Sequence, residues 1–261
     1  MLISIIIPSF NSKLTIFRAI NSVLNQSYKN FEIIIVDDFS TDGVWELLNE
    51  KYSFDDRFIL ERLSVNSGAG HARSRALSIA KGNFFAFLDA DDEWLPEKLS
   101  LQIAVVDKFK ADIVHTGYEI VNNNEIIGIV RPKKMLTLRD FYWKNQIATS
   151  TALVSKDLLG ALEMPKIRSR QDYAYWWIIF SKNNCLAVGI GDTLVRYHLT
   201  KNSLSSSMIK NLKNNFVMFR STLNYSIFKT CFFILGNIFN RFLKSLSILK
   251  QRYFKTKGKS E

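Results

Sequence analysis

The 261-residue chain has two cysteines, Cys185 and Cys231, and no CxxC pair. That excludes a disulfide framework and a cysteine zinc site, and it fits a reducing cytosol. Long apolar runs are also missing. The longest uncharged stretch near the C-terminus, Thr230–Asn240, has 11 residues, against the roughly 20 of a membrane-spanning helix. Met1–Pro8 lacks a basic flank and its apolar run is short, so it is not read as a signal peptide. The first 200 residues lack any surplus charge, with 23 basic and 23 acidic side chains. The net charge of +11 arises wholly in residues 201–261, which hold 12 Lys+Arg and one acid, Glu261. A globally basic nucleic-acid binder is therefore disfavoured; the pattern is a neutral body with a basic tail.

What is present is a chain able to bury a sizeable core. Hydrophobic residues make up 47% and charged residues 23%, in a length typical of one or two domains. Leu2–Pro8, Phe31–Val36, Phe58–Leu63, Phe84–Leu88 and Ala111–Thr116 read as strands, the first two as continuous apolar runs buried on both faces. Between them, Ser12–Leu24, Asp42–Tyr52 behind a Thr41 cap, Ala69–Ala80 ended by Gly82, and Pro96–Phe109 read as helices. The alternation predicts an α/β fold, a doubly wound and mostly parallel sheet. The second half is less regular. It predicts a hairpin over Glu119–Val130, a helix over Thr137–Asn145, an extended Ala148–Val154, a helix over Asp172–Ser181 and a short strand Asp192–His198.

Ligands of such sheets bind beyond the carboxyl ends of the strands. Four strand ends carry chemistry: Pro8-Ser9-Phe10-Asn11, Asp37-Asp38-Phe39-Ser40-Thr41-Asp42-Gly43, Asn66-Ser67-Gly68 with Ala72-Arg73, and Asp89-Ala90-Asp91-Asp92. Carboxylates at i and i+2, as in Asp89 and Asp91, reach one small volume. Hard oxygen ligands of that kind suit Mg²⁺ or Mn²⁺, with the remaining ligands taken from water and a substrate diphosphate. Capping of the helix before Pro96 by Asp91 or Asp92 is the competing reading.

In this order and spacing the four motifs resemble the nucleotide-binding half of inverting family 2 glycosyltransferases with the GT-A fold. The resemblance covers residues 1–120 strongly and 145–205 more weakly. It implies a nucleotide-sugar half (1–120), an acceptor half (121–205) and an appended helical tail (206–261). By the resemblance, Ser9 and Asp38 meet the uracil or ribose of a UDP-sugar and Asp37 holds the loop. Arg73 contacts the nucleotide, Asp89 faces the ribose, and Asp91 ligates the Mn²⁺ or Mg²⁺ that bridges to the diphosphate. Arg73 as a solvated helix arginine is the alternative.

An inverting transferase needs a base to take the acceptor proton. The family supplies the Asp of a Glu-Asp pair opening a helix, and here the matching residues are Gln171 and Asp172. Gln171 departs from the usual Glu, which leaves it acceptor positioning by hydrogen bonds only. Trp176, one turn on from Asp172, is placed to stack on a sugar or to lie in the core. Arg196-Tyr197-His198 and the polar loop Lys201–Ser207 resemble the late strand and mobile loop that close over the donor, with Arg196 on phosphate and His198 on metal or phosphate, or merely structural.

The tail repeats Phe228, Phe232, Leu235, Phe239, Phe242, Leu246 and Leu249 at spacings of 4, 3, 4, 3, 4, 3. With lysines and arginines at its sides, this is a basic amphipathic helix suited to an anionic membrane surface over 226–259, or to docking on the domain. The resulting expectation is a metal-dependent hexosyltransferase, cytoplasmic and peripheral on the inner face of the membrane. Its partners are a UDP-sugar, a lipid-linked or oligosaccharide acceptor, and no nucleic acid. A nucleotidyltransferase on a similar sheet and a nucleic-acid binder acting through the tail are the rivals.

Overall fold

The computed structural model describes residues 1–199 and 208–239. Ten strands form one sheet: β1 (Ile3–Ser9), β2 (Phe31–Asp37), β3 (Phe58–Arg62), β4 (Phe84–Phe87), β5 (Glu93–Trp94), β6 (Ile113–Asn122), β7 (Glu125–Val130), β8 (Met135–Leu136), β9 (Leu153–Ser155) and β10 (Ala187–His198). Their order is β3-β2-β1-β4-β9-β6-β10-β5, with β7 on β6 and β8 on β10. All seven residues of β1 and of β2 are buried, as the apolar runs Ile5–Ile7 and Ile33–Val36 require of strands covered on both faces. The stretch β3-β2-β1-β4 is wholly parallel. Here the order reverses between β1 and β4, and a cleft opens at their carboxyl ends. Beyond β4 the sheet is mixed, because β9 runs antiparallel between β4 and β6.

One face of the sheet is covered by α1 (Ile16–Leu24), α2 (Val44–Tyr52) and α4 (Lys98–Phe109), the other by α3 (Ala69–Ile79) and α6 (Gln171–Lys182). The short α5 (Lys156–Leu159) follows β9, and α7 (Met208–Val217) runs into a π-turn. A last helix spans 227–239. Met218, Phe219 and Phe233 join the core beneath α6.

Several boundaries differ from the sequence expectation. The first helix starts at Ile16, because Ser12 C=O accepts the N–H groups of both Thr15 and Ile16 in a preceding turn. Leu14 is thereby left 96% exposed. The second helix is entered through Gly43 at φ +81°, with the Asp42 carboxylate, not Thr41, accepting the Val44 N–H. Gly82 does not end α3. It lies against β1 so closely that a Cβ would stand 2.6 Å from the Ser4 nitrogen. The 137–145 segment holds only a 3₁₀ turn, Leu138–Phe141, closed by a Thr137/Asp140 capping box. Ala148–Val154 begins with another such turn, Thr149–Thr151, before β9. The last strand begins five residues early and carries register shifts between Ile190 and Val195. Lys201–Ser207 and the tail from residue 240 lie outside the described residues.

Candidate active site

Two clefts meet at the end of β4. The first, about 490 Å³, is lined by Phe10, Asn11, Ala69, Arg73, Asp89 and Asp91 among others. The second, about 480 Å³, includes Asp89, Asp92, Arg131, Lys144, Asn145 and Asp172 in its lining. Asp89 belongs to both. Its carboxylate is ion-paired with the buried Arg73 of α3, so a residue from the helix after the glycine loop fixes the one acid shared by the two cavities.

Three carboxylates crowd this strand end with Arg73 as the paired cation. Burial pushes Asp91 up to about 6, and the charge of Asp89 adds to that. Asp92, buried and accepting from Ser150 Oγ at 2.5 Å and His198 N–H at 3.3 Å, is raised well above the usual carboxylate range by burial and by both neighbours. This is surplus negative charge in a dehydrated place, the condition a divalent cation relieves. Asp91 faces the first cleft, and Arg18 donates only to its backbone C=O. Among the described residues no three His, Cys, Asp or Glu side chains converge on one ion. A single protein carboxylate with ligands completed by a diphosphate is how Mg²⁺ or Mn²⁺ is commonly held. The residues fit such an ion, with Asp91 as ligand and Asp89 beside it.

Asp172 opens α6 and lines the second cleft. Asn145 Nδ2 donates to its Oδ2 at 2.7 Å. Burial raises its pKa, against the opposing effects of the Tyr173 N–H and Arg73; Asp89 and Asp172 line the same cleft. Asn145 was not singled out from sequence, where it only closed the expected Thr137–Asn145 helix; the structure places it past the 3₁₀ turn, in an irregular segment.

Other expected residues are placed differently. Ser9 is buried, its hydroxyl 2.8 Å from Ser12 Oγ, and it lines neither cleft. Asp38 is filled by loop donors: Asn66 Nδ2, Ser67 N–H and Gly68 N–H at 3.0, 2.7 and 2.7 Å. It clamps the glycine loop, as Asp37 clamps its own turn through the Ser40 N–H at 3.0 Å. The half-exposed ring at the first cleft is Phe10. Trp176 is fully buried edge-on to Phe87 and cannot stack on a sugar. The side chain of Gln171 packs on the glycine loop, where a Cβ on Gly70 would meet its Oε1 at 3.0 Å and Pro165 C=O at 3.2 Å. Arg196 is shared between Glu93 and Glu119, at 3.4 Å each. His198 Nε2 lies 3.5 Å from Glu93, and its pKa is lowered by burial and then by Arg18. Both line a third, separate cleft of about 280 Å³, so the structure does not bring His198 to Asp91.

The contact between Gly70 and Gln171 makes a prediction. Gly70→Ala forces Gln171 to shift at the base of α6, beside Asp172. We expect about 1–3 kcal/mol loss of stability, the usual cost of overpacking, and a drop of roughly tenfold in kcat/KM. Thermal melting and initial rates measure both. Wild-type values in each would show that the contact is not tight.

The glycosyl transferase family 2 model matches residues 4–158, more than half of the chain. The chain belongs to glycosyl transferase family 2. Relatives of this family-2 enzyme include a teichuronic acid biosynthesis glycosyltransferase described as putative, TuaG of Bacillus subtilis (strain 168). It is 35% identical over 221 residues, which cover 84% of this chain and 87% of the relative. The UDP-Glc:alpha-D-GlcNAc-diphosphoundecaprenol beta-1,3-glucosyltransferase WfgD of Escherichia coli is 38% identical over 213 residues, covering 81% and 83%. Among solved structures, S. aureus TarS 1–349 in complex with UDP-GlcNAc superposes with TM-score 0.71 at 22% identity, over 91% of this chain and 72% of that one. The family-2 chain thus has the GT-A fold, and its relatives serve bacterial surface polysaccharides.

Proposed function

We propose that this glycosyltransferase moves a hexose, glucose or galactose, from a UDP-sugar to a hydroxyl of GlcNAc or GalNAc carried on undecaprenyl diphosphate, with inversion. The setting is O-antigen, capsule or exopolysaccharide synthesis. The observation that carries the reading is Asp89 standing in both clefts, with Asp91 on the first side and Asp172 on the second. The activity for which WfgD is named supports the donor and the acceptor class.

In this reading Arg73 holds Asp89 toward the donor. Asp91 would hold Mn²⁺ or Mg²⁺, which when bound would supply charge stabilisation for the departing UDP. Asp172 takes the proton of the acceptor hydroxyl as that oxygen bonds to the anomeric carbon and the bond to UDP breaks. Burial raises the proton affinity of Asp172, which strengthens it as a base. Asn145 keeps its carboxylate turned into the cleft.

Residues 1–205 are taken as the catalytic domain and 206–261 as a C-terminal segment, which adds Met218, Phe219 and Phe233 to the core beneath α6. The helix 227–239 buries Phe233, Thr230 and Asn237 against the domain and leaves Phe228, Phe232, Leu235 and Phe239 exposed. Docking and an outward apolar stripe therefore coexist on opposite faces. Lys229 lies over the Tyr225 ring at 3.8 Å. No described helix is long and apolar enough to cross a membrane. The stripe, with the cationic residues that follow in sequence, suits peripheral attachment to an anionic inner-membrane surface through 226–259.

The test is a screen of UDP-glucose, UDP-galactose and UDP-GlcNAc with Mn²⁺ against a lipid-diphosphate GlcNAc acceptor. We expect transfer from a hexose donor and a β-linked product from the α-linked donor. An α-linked product, or no transfer to any lipid-diphosphate sugar, overturns the reading.

A further inference from the structure

Strand β7 does not behave like an ordinary edge. Among the described residues it pairs with β6 alone, and none of them pairs with its other side. Ile126, Ile127 and Ile129 are 54–56% exposed and Val130 is 36% exposed. Four large apolar side chains in five residues are thus open, on both faces of one strand. Soluble proteins usually blunt such edges with charge or cover them. Here the charge comes immediately after the strand: Arg131, Lys133 and Lys134 are exposed, and Met135 beside them is 53% exposed.

The placement of this strand matters. Its end, Val130 with Arg131 and Lys133, lines the second cleft, as do Lys144 and Asn145. Lys144 follows Tyr142 and Trp143, on which the helix 227–239 is packed through Phe232 and Phe233. Two segments that line the cleft holding Asp172 are therefore continuous with exposed apolar surface.

We propose that β7 and residues 131–135 form a second lipid-contact surface that seats on an anionic bilayer. A bilayer accepts apolar side chains from both faces of a strand, which a partner packed against one face does not. Cations next to an apolar patch match a negatively charged headgroup layer, with their methylene stems along the hydrocarbon boundary. A second copy of the chain adding to the free edge is the competing occupant, and the test separates the two.

The full-length protein is sedimented with vesicles of phosphatidylglycerol and phosphatidylcholine. The Ile127→Ser/Ile129→Ser variant leaves the cleft-lining residues untouched. We expect its partition coefficient to fall about tenfold or more, with an unchanged melting curve and unchanged turnover on a short-chain soluble acceptor. Lys134→Glu should lower binding to anionic vesicles by about fivefold and leave binding to pure phosphatidylcholine unchanged. A variant with Phe228, Leu235 and Phe239 changed to serine reports separately on the helical stripe. Unchanged vesicle binding by the isoleucine variant overturns the proposal, even if the stripe variant loses binding. So does a concentration-dependent dimer in sedimentation equilibrium that the isoleucine variant abolishes while its vesicle binding stays at the wild-type level.

Discussion

Replacing Asp91 by asparagine is expected to lower kcat in saturating Mn²⁺ by about a thousandfold or more, in line with several kcal/mol of charge stabilisation lost from the leaving group. Asparagine keeps the shape and a carbonyl oxygen but removes the charge. The wild-type site concentrates three carboxylates at the end of β4, and Asp91 faces the first cleft without a side-chain donor among the described residues. Its charge is therefore available to an ion and is not committed to the fold. The same substitution also removes repulsion between buried acids, so the variant should melt no lower than wild type. The pairing of a collapsed rate with an intact melt is the signature. UDP affinity should fall toward its metal-free value in the variant, and calorimetry with and without Mn²⁺ measures that. Full activity in Mn²⁺ would falsify the metal role.

The second large effect belongs to Asp172. Asp172→Asn should cut kcat by about 10²–10⁴-fold, the range for a lost general base, while UDP binding stays at the wild-type level. Asp172 lies in the second cleft, outside the lining of the first. Loss of UDP binding would place Asp172 on the wrong side of Asp89. The pH profile gives an independent sign. A carboxylate that must be ionised loses activity as pH falls through its pKa, and burial raises that of Asp172. The acid limb of kcat should therefore lie above the ordinary Asp value of about 3.9. Removing the Asn145 donor takes away a bond to the ionised form, so Asn145→Ala should move the limb further up. A limb that does not respond to Asn145 would detach the two residues.

The strand ends were legible because topology alone brings them together. β1, β2 and β4 are apolar on both faces, and a parallel sheet must place their carboxyl-terminal loops on one edge. Asp89, Asp91 and Arg73 reach the clefts for that reason; Asp172 reaches the second from the opening turn of α6. What each side chain does within a motif was less legible. Ser9 and Asp38 stand at the expected strand ends, but backbone and hydroxyl groups of their own loops take up their hydrogen bonds. Trp176 shares a helix face with Asp172 by spacing. Yet α6 is buried nearly all round, so one turn along the helix moves from cleft to core. Arg196 and His198 are drawn away by Glu93 and Glu119, a pairing that depends on the short β5 joining β10. The segment before Asn145 read as a helix because its apolar spacing fits one. The Thr137/Asp140 box closes only a single turn, and the chain then leaves to form the cleft wall.

The packing of Gln171 on Gly70 joins residues a hundred positions apart in the chain. Arg73, in the first turns of α3 past the glycine loop, holds Asp89; α6 carries Asp172, the proposed base. Because α3 and α6 meet directly at this contact, without an intervening hinge, the spacing between the proposed donor and base sides would be a machined tolerance of the fold. The cleft linings at 130–133 and 144–149 lie outside that joint. In the proposed reading they are the parts free to be re-cut for a different acceptor sugar.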